Sequence, residues 1–204
     1  MERENVMLPR TQWEKWEHVK PAPEGLTLMQ RFVNTRNYLS GGDFLADAEE
    51  ATIWLTWHGL LGAGERIGER ERERLVEFRE ALRSLLSAHN GIPGADALAL
   101  NKFLATVELR VQFGSDGRLS LESTPDGGQV ERVVGRLLAE AVRAEAEERW
   151  GRLKACSNEE CRWAFYDASK NRSGRWCTMQ VCGARHKMRA YRERKVGSYN
   201  YRLP

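Results

Sequence analysis

The first 155 residues of this 204-residue chain contain no cysteine, so neither a disulfide nor a thiolate metal site can be built within them. Histidine is almost as scarce. Three of the four, His18, His58 and His89, are scattered, and no Ser/His/Asp or paired-carboxylate spacing accompanies them. The single glycine-rich stretch, "GLLGAG", follows a helical pattern and not a strand, which makes it a poor phosphate loop. Long apolar runs are missing as well. Nothing approaches the roughly 18 consecutive apolar residues that a spanning helix needs, and "MERENVMLPR" has no apolar core of the kind a secretory leader carries. The expectation is a chain of the reducing cytoplasm, with no membrane association and no enzymatic activity.

What the chain does have is concentrated near its end. All four cysteines fall within 27 residues, as Cys156-x4-Cys161, fifteen residues, then Cys177-x4-Cys182. Without export, closely spaced thiol pairs more often hold metal than form disulfides. Zn2+ takes four soft ligands in a tetrahedron, and two short loops each offering two thiolates meet that demand. Disulfides and four free thiols are the competing readings, and His186, four residues after Cys182, is an alternative ligand. Four thiolates leave no open position for water, so one structural zinc is expected and not a catalytic one. The intervening "RWAFYDASKNRSGRW" suits a hairpin turning at "NRSG", and the residues after Cys177 read as a helix entered through the last ligand. Loop, hairpin and helix in this order describe a treble-clef type of finger.

Charge is unevenly placed. Residues 152–204 carry 13 Lys+Arg against 4 Asp+Glu, a net of +9, while the remainder is net −6. On the expected final helix, Arg185, Lys187, Arg189, Arg192, Arg194 and Lys195 form a basic surface, with Arg185, Arg189 and Arg192 on one face. Guanidinium groups make fork-like contacts to phosphate and, in the major groove, to guanine. Arg172 and Arg175, at the hairpin turn and the strand after it, would add phosphate contacts, whereas Met188 and Tyr191 are expected to pack toward the finger. Double-stranded DNA is the leading partner. Structured RNA and a protein held by a zinc-stabilised scaffold remain the alternatives, as does a merely solvated basic helix.

Upstream, 1–25 reads as an arm ending in the structure-breaking "KPAPEG", with Trp13 and Trp16 able to pack one helical turn onto the body. A helix with Leu28, Met29, Phe32, Val33 and Leu39 at helical spacing runs to the "GGD" at 41–43. Asp47 and Glu50 suggest a capping box ahead of a helix with Ile53, Trp54 and Trp57 on one face. A long helix follows, with Leu75, Phe78, Leu82, Leu85 and Leu86 inward, its alternating charges expected to face solvent and Asn90-Gly91 as its stop. After a shorter helix, Leu109, Val111 and Phe113 alternate with polar residues, as do Leu119 and Leu121, around "GSDG"; this is a β-hairpin. The last long helix of this region is expected over 129–153, running into the finger with no flexible linker. Asn34 and Arg36, polar within the first helix, are candidates for a ligand pocket that takes a small-molecule effector, against the plainer reading of helix surface.

The whole is an α+β fold, mostly α. It comprises an arm (1–25), a helical N-terminal domain with one β-hairpin (26–153) that is expected to fold alone, and a treble-clef-like finger with a basic helix (154–204). The pattern "C...C.WAFYD.S.N.SGRWC.M..CG.R.K.R.YR.R" resembles the CGNR zinc finger, a C-terminal module of bacterial proteins. The stretches "LMQRFVNTRNYLSGGDFLADAEEATIWLTWHGLL" and "RLVEFREALRSLLSAHN" resemble the ABATE domain that normally precedes it. The resemblance implies a stress-induced transcriptional regulator whose finger binds nucleic acid and whose N-terminal domain senses a signal or forms a homodimer. The name-giving motif departs here: Ala184 stands where the family has asparagine, which would cap the helix or contact DNA.

Overall fold

The computed structural model describes residues 19–93, 97–124 and 126–199; the expected packing of Trp13 and Trp16 lies outside them. Among the described residues helix predominates and the strands form two short hairpins, which makes the fold α+β and mostly α. No helix among the described residues is long and apolar enough to cross a membrane.

Helix α1 (Leu26–Val33) buries Leu26, Met29, Phe32 and Val33 at helical spacing. It ends at Asn34, short of the "GGD" stop. The chain from Thr35 to Phe44 instead folds back on itself, with the Asn37 N–H donating to Gly42 O at 2.8 Å and the Phe44 N–H to Thr35 O at 3.0 Å. Leu39 is therefore not part of the helix face. Helix α2 (Ala48–Trp57) is capped as expected by Asp47, whose carboxylate accepts from the Glu49 and Glu50 N–H groups. Trp54 is buried against Phe32, ring centroids 6.1 Å apart, but Trp57 points to solvent.

Helix α3 (Glu69–Ala88) runs through the centre, with Leu75, Phe78, Leu82 and Leu86 in the core. Each such side chain stabilises the fold by about 1.5–3 kcal/mol through burial. Gly91, at φ 75°, closes its end. One expectation fails here. Arg79 and Arg83, read as part of a solvated face, are buried against the half-buried Asp43 and Glu80, and Arg83 is among the largest fully buried side chains.

Helix α4 (Ala97–Leu104) leads to the antiparallel hairpin β1 (Leu109–Phe113) and β2 (Leu119–Ser123), paired from Leu109↔Ser123 to Phe113↔Leu119. Its base packs on helix α5 (Gln129–Ala146) where Gly135 allows close approach: a Cβ there would lie 2.8 Å from that of Ser123. Toward the turn the apolar face is uncovered, with Val111, Phe113 and Leu119 67%, 75% and 63% exposed.

Helix α5 stops at Ala146, short of the expected 153. The Glu148 and Arg149 N–H groups bond back to Glu145 and Ala144, and Glu148 takes φ 54°, which turns the chain out of the helix. A 3-10 turn (Trp150–Arg152) follows, then strand β3 (Leu153–Ala155), which pairs antiparallel with β4 (Ala164–Tyr166). Leu153, Ala155 and Ala164 lie in the same apolar cluster as the N-terminal helices. The finger's hairpin is thus continuous with the main core.

Candidate metal centre and its basic helix

The β3–β4 hairpin wraps the first cysteine pair. Cys156 follows β3, Cys161 precedes Trp163 and β4, and the Cys156 N–H donates to Trp163 O at 2.9 Å. The expected hairpin between the two cysteine pairs is therefore misplaced. Residues 167–176 form an irregular loop, and only β4 of the intervening segment is a strand. That loop is pinned by a buried ion pair. Lys154 Nζ meets Asp167 Oδ2 at 2.8 Å and also donates to Arg172 O, while Asp167 accepts from the Ser169 and Gly174 N–H groups. Burial alone would raise the Asp167 pKa, but Lys154 and these N–H donors hold it well below the usual carboxylate range.

Of the second pair, Cys177 lies in the bend just before Thr178, and Cys182 sits on a single π-helical turn (Met179–Gly183) that continues into helix α6 (Ala184–Tyr199). Thr178 caps this turn, its Oγ1 accepting from the Gln180 and Val181 N–H groups. Met179 folds over Gly183, whose Cβ, if present, would lie 2.8 Å from the methionine sulfur and push this half-exposed side chain aside. Ala184 falls inside the continuous helix and is exposed, so the capping role raised for this position belongs to Thr178.

All four cysteines are buried and free, and their Sγ atoms lie within 4.8 Å of one another. Cys161 and Cys177, and Cys177 and Cys182, are each 3.7 Å apart. A tetrahedron with Zn–S bonds of about 2.3 Å has sulfurs about 3.8 Å apart, so the cage fits zinc. The four thiols cannot all ionise without a cation. The Cys161 thiol hydrogen bond holds Cys156 low, while bonding to Cys156 pushes Cys161 and Cys177 up. Asn158 Nδ2 lies 3.6 Å from Cys182 Sγ and supports it from outside. His186 is not in the cage; its ring packs on Trp176 at 4.8 Å.

Residues 26–148 match the ABATE family, described as "Putative stress-induced transcription regulator", and residues 152–195 match the CGNR zinc finger. The chain belongs to the ABATE family. No curated protein matches it. Cys156, Cys161, Cys177 and Cys182 are the ligands of one structural zinc ion in its CGNR finger.

Beyond the cage, the finger has two unlike sides. On one, the ABATE residues grip its backbone. Asn34 Nδ2 donates to Ala164 O at 2.9 Å and its Oδ1 accepts the Ala164 N–H at 2.7 Å, so the side chain acts as a strand partner for β4. Gln30 Nε2 reaches the same carbonyl at 3.1 Å. Asn90 Nδ2 lies 2.8 Å from Ala155 O and 2.9 Å from Arg175 O, and His89 Nδ1 lies 2.8 Å from Leu153 O. Arg83 donates to Arg162 O, Val33 O and Glu80. Lys20 Nζ closes the seam, donating to Trp176 O at 2.7 Å. Asn34 is thus engaged in docking to β4, whereas Arg36 lies half-buried beside Tyr38. None of these docking roles was read from sequence. A polar residue that grips a backbone more than a hundred positions away leaves no periodic signal.

On the other side stands α6. Arg185, Lys187, Arg189, Arg192, Arg194 and Lys195 are all exposed, and Ala190 alone among 184–195 is half-buried. Glu160 lies 3.9 Å from Arg185 and 3.5 Å from Arg189, which places those two on one face. Met188 and Tyr191 do not pack toward the finger; both are about half exposed among the cations, and Lys195 lies over the Tyr191 ring. Arg172 and Arg175 sit in the irregular loop and not on a hairpin, and the Arg172 guanidinium is 3.6 Å from Glu148.

Proposed function

We propose that this chain is a bacterial, cytoplasmic, DNA-binding transcriptional regulator and not an enzyme, with α6 laid against the duplex. One observation carries the reading: a helix anchored at its start by zinc ligands presents six cations and leaves residues 184–195 almost wholly uncovered. Such a helix has no core to face, and its charge and diameter suit the major groove. Arg185, Arg189 and Arg192 are assigned to the groove-facing side. Lys187, Arg194 and Lys195 serve flanking phosphates, and Arg175 adds a weaker contact. Arg172, paired with Glu148, contributes least. The exposed Met188 and Tyr191 are available for apolar contact with bases. Two copies would pair through the uncovered β1–β2 face, and the ABATE part would respond to a small effector.

Titration of zinc-loaded protein with duplex DNA at several salt concentrations tests the reading. Four to six phosphate contacts give a slope of log affinity against log salt of roughly −4 to −5. Replacing Arg189 and Arg192 with Ala should make the slope shallower by about 2, and Arg185→Ala should cost about 1–3 kcal/mol of sequence discrimination. Tighter binding to structured RNA in competition would favour the RNA reading. Binding without salt dependence, to protein alone, would favour the interaction scaffold.

A further inference from the structure

Where the ABATE helices meet the finger, four arginines surround two carboxylates and one tyrosine. Arg79 takes both oxygens of Asp43, Nη1 to Oδ1 at 2.5 Å and Nη2 to Oδ2 at 3.0 Å, and bonds Glu80 Oε1 through Nε. Arg83 and the Tyr38 hydroxyl share Glu80 Oε2. The two buried guanidiniums thus saturate both acids. Arg36 and Arg162 are left over, each half-buried. Arg36 has only the Gly41 carbonyl and the outer reach of Asp43 at 3.9 Å. The Arg162 guanidinium has only the Tyr38 ring, at 5.3 Å, with Arg36 at 5.5 Å from the same ring. Among the described residues no carboxylate pairs with Arg162.

Three guanidiniums lie within 5.5 Å of the Tyr38 ring centroid; Arg83, at 5.2 Å, is spent on Glu80 and two carbonyls, whereas Arg36 and Arg162 retain most of their N–H donors. That arrangement is stabilised by an anion able to accept from both forks. We infer that Arg36 and Arg162 form a binding site for a small oxyanion, a phosphate or a short dicarboxylate, at the seam between the ABATE helices and the zinc finger. Arg162 directly follows the ligand Cys161 and its carbonyl is held by Arg83, while Arg36 belongs to the loop after α1. A bound oxyanion therefore ties the first cysteine loop to the helical body, and its loss loosens that tie. This is independent of the DNA reading and stands or falls separately.

The test is calorimetric titration of the zinc-loaded full chain with inorganic phosphate and, separately, with succinate, against chloride at constant ionic strength. Saturable one-to-one binding of either is expected, weakened about tenfold in Arg162→Gln and in Arg36→Gln and unchanged in the surface control Lys102→Gln. Both side chains are partly exposed, so circular dichroism and zinc content should match wild type and show that the variants are folded. If neither oxyanion binds saturably, or if binding survives both substitutions, the site does not exist. If free oxyanions fail but Arg162→Gln shallows the DNA salt slope by about 1, the excess charge serves nucleic-acid phosphate and the small-ligand site is overturned.

Discussion

The two sides of the finger are built from opposite materials. Its β3–β4 side is buried and is gripped by Gln30, Asn34, Arg83, Asn90 and Lys20, so that Ala155 and Ala164 complete the core of the ABATE helices. Its α6 side touches almost nothing and carries six exposed cations. A substitution on the first side should therefore be read in stability, and one on the second in binding. The metal lies between them and supports both.

The largest effect should come from the metal itself. Cys177→Ser removes a ligand from a cage of four, and structural zinc contributes roughly 10–16 kcal/mol of apparent binding energy in small finger modules. We expect loss of zinc by elemental analysis and unfolding of residues 156–195. Because β3 and β4 share the core, the melting of the ABATE helices should shift down with them. A truncation after Leu153 sharpens the same point. It leaves Asn34 and Asn90 without the finger backbone that they grip and removes Ala155 and Ala164 from the core, so it should give a molten or insoluble product. A cooperative thermal transition in that fragment would show that the helical part is self-sufficient.

Next in size is Arg83→Ala. It leaves Glu80 with one buried cation fewer and the Val33 and Arg162 carbonyls unpaired, at a cost of about 3–5 kcal/mol in denaturant unfolding. Asn34→Ala should cost about 1–3 kcal/mol, because the Ala164 N–H loses its partner. On the open side the outcome should invert. The double replacement of Arg189 and Arg192 by Ala should change unfolding free energy by no more than about 0.5 kcal/mol while DNA affinity falls. Equal stability losses on both sides would erase the contrast.

The smallest effect concerns pH. Burial lowers the His89 pKa, against the opposing Leu153 carbonyl and Glu145, so the folded chain keeps the ring neutral where the unfolded chain begins to bind a proton, near pH 6.5. Below that pH the unfolded state holds more protons, and stability must fall as pH drops and level off above it. Comparing unfolding midpoints of wild type and His89→Gln across this range isolates the contribution. Parallel pH curves would mean that His89 does not titrate on unfolding.

The zinc ligands were legible because the four thiols are close in sequence, chemically distinctive and unaccompanied by any other cysteine. The basic face of α6 was legible for a related reason: helical period and charge are local properties. Leu75, Phe78, Leu82 and Leu86 announced the core stripe of α3 in the same way. The hairpin between the cysteine pairs was misplaced because aromatic residues and a turn signal do not say which strand will pair. Phe165 found Lys154, on the far side of the first cysteine pair.

What the sequence determined alone was thus the metal, the separation of charge and the succession of helices, all of which follow from neighbours within a few turns. Only the tertiary structure decided that Arg79 and Arg83 are buried, that Asn34 is a surrogate strand, and that Val111 and Phe113 stand uncovered. The physical reason is that a polar group is tolerated inside, or an apolar one left outside, according to what meets it. For Arg83 that was the carbonyl of a residue 79 positions away.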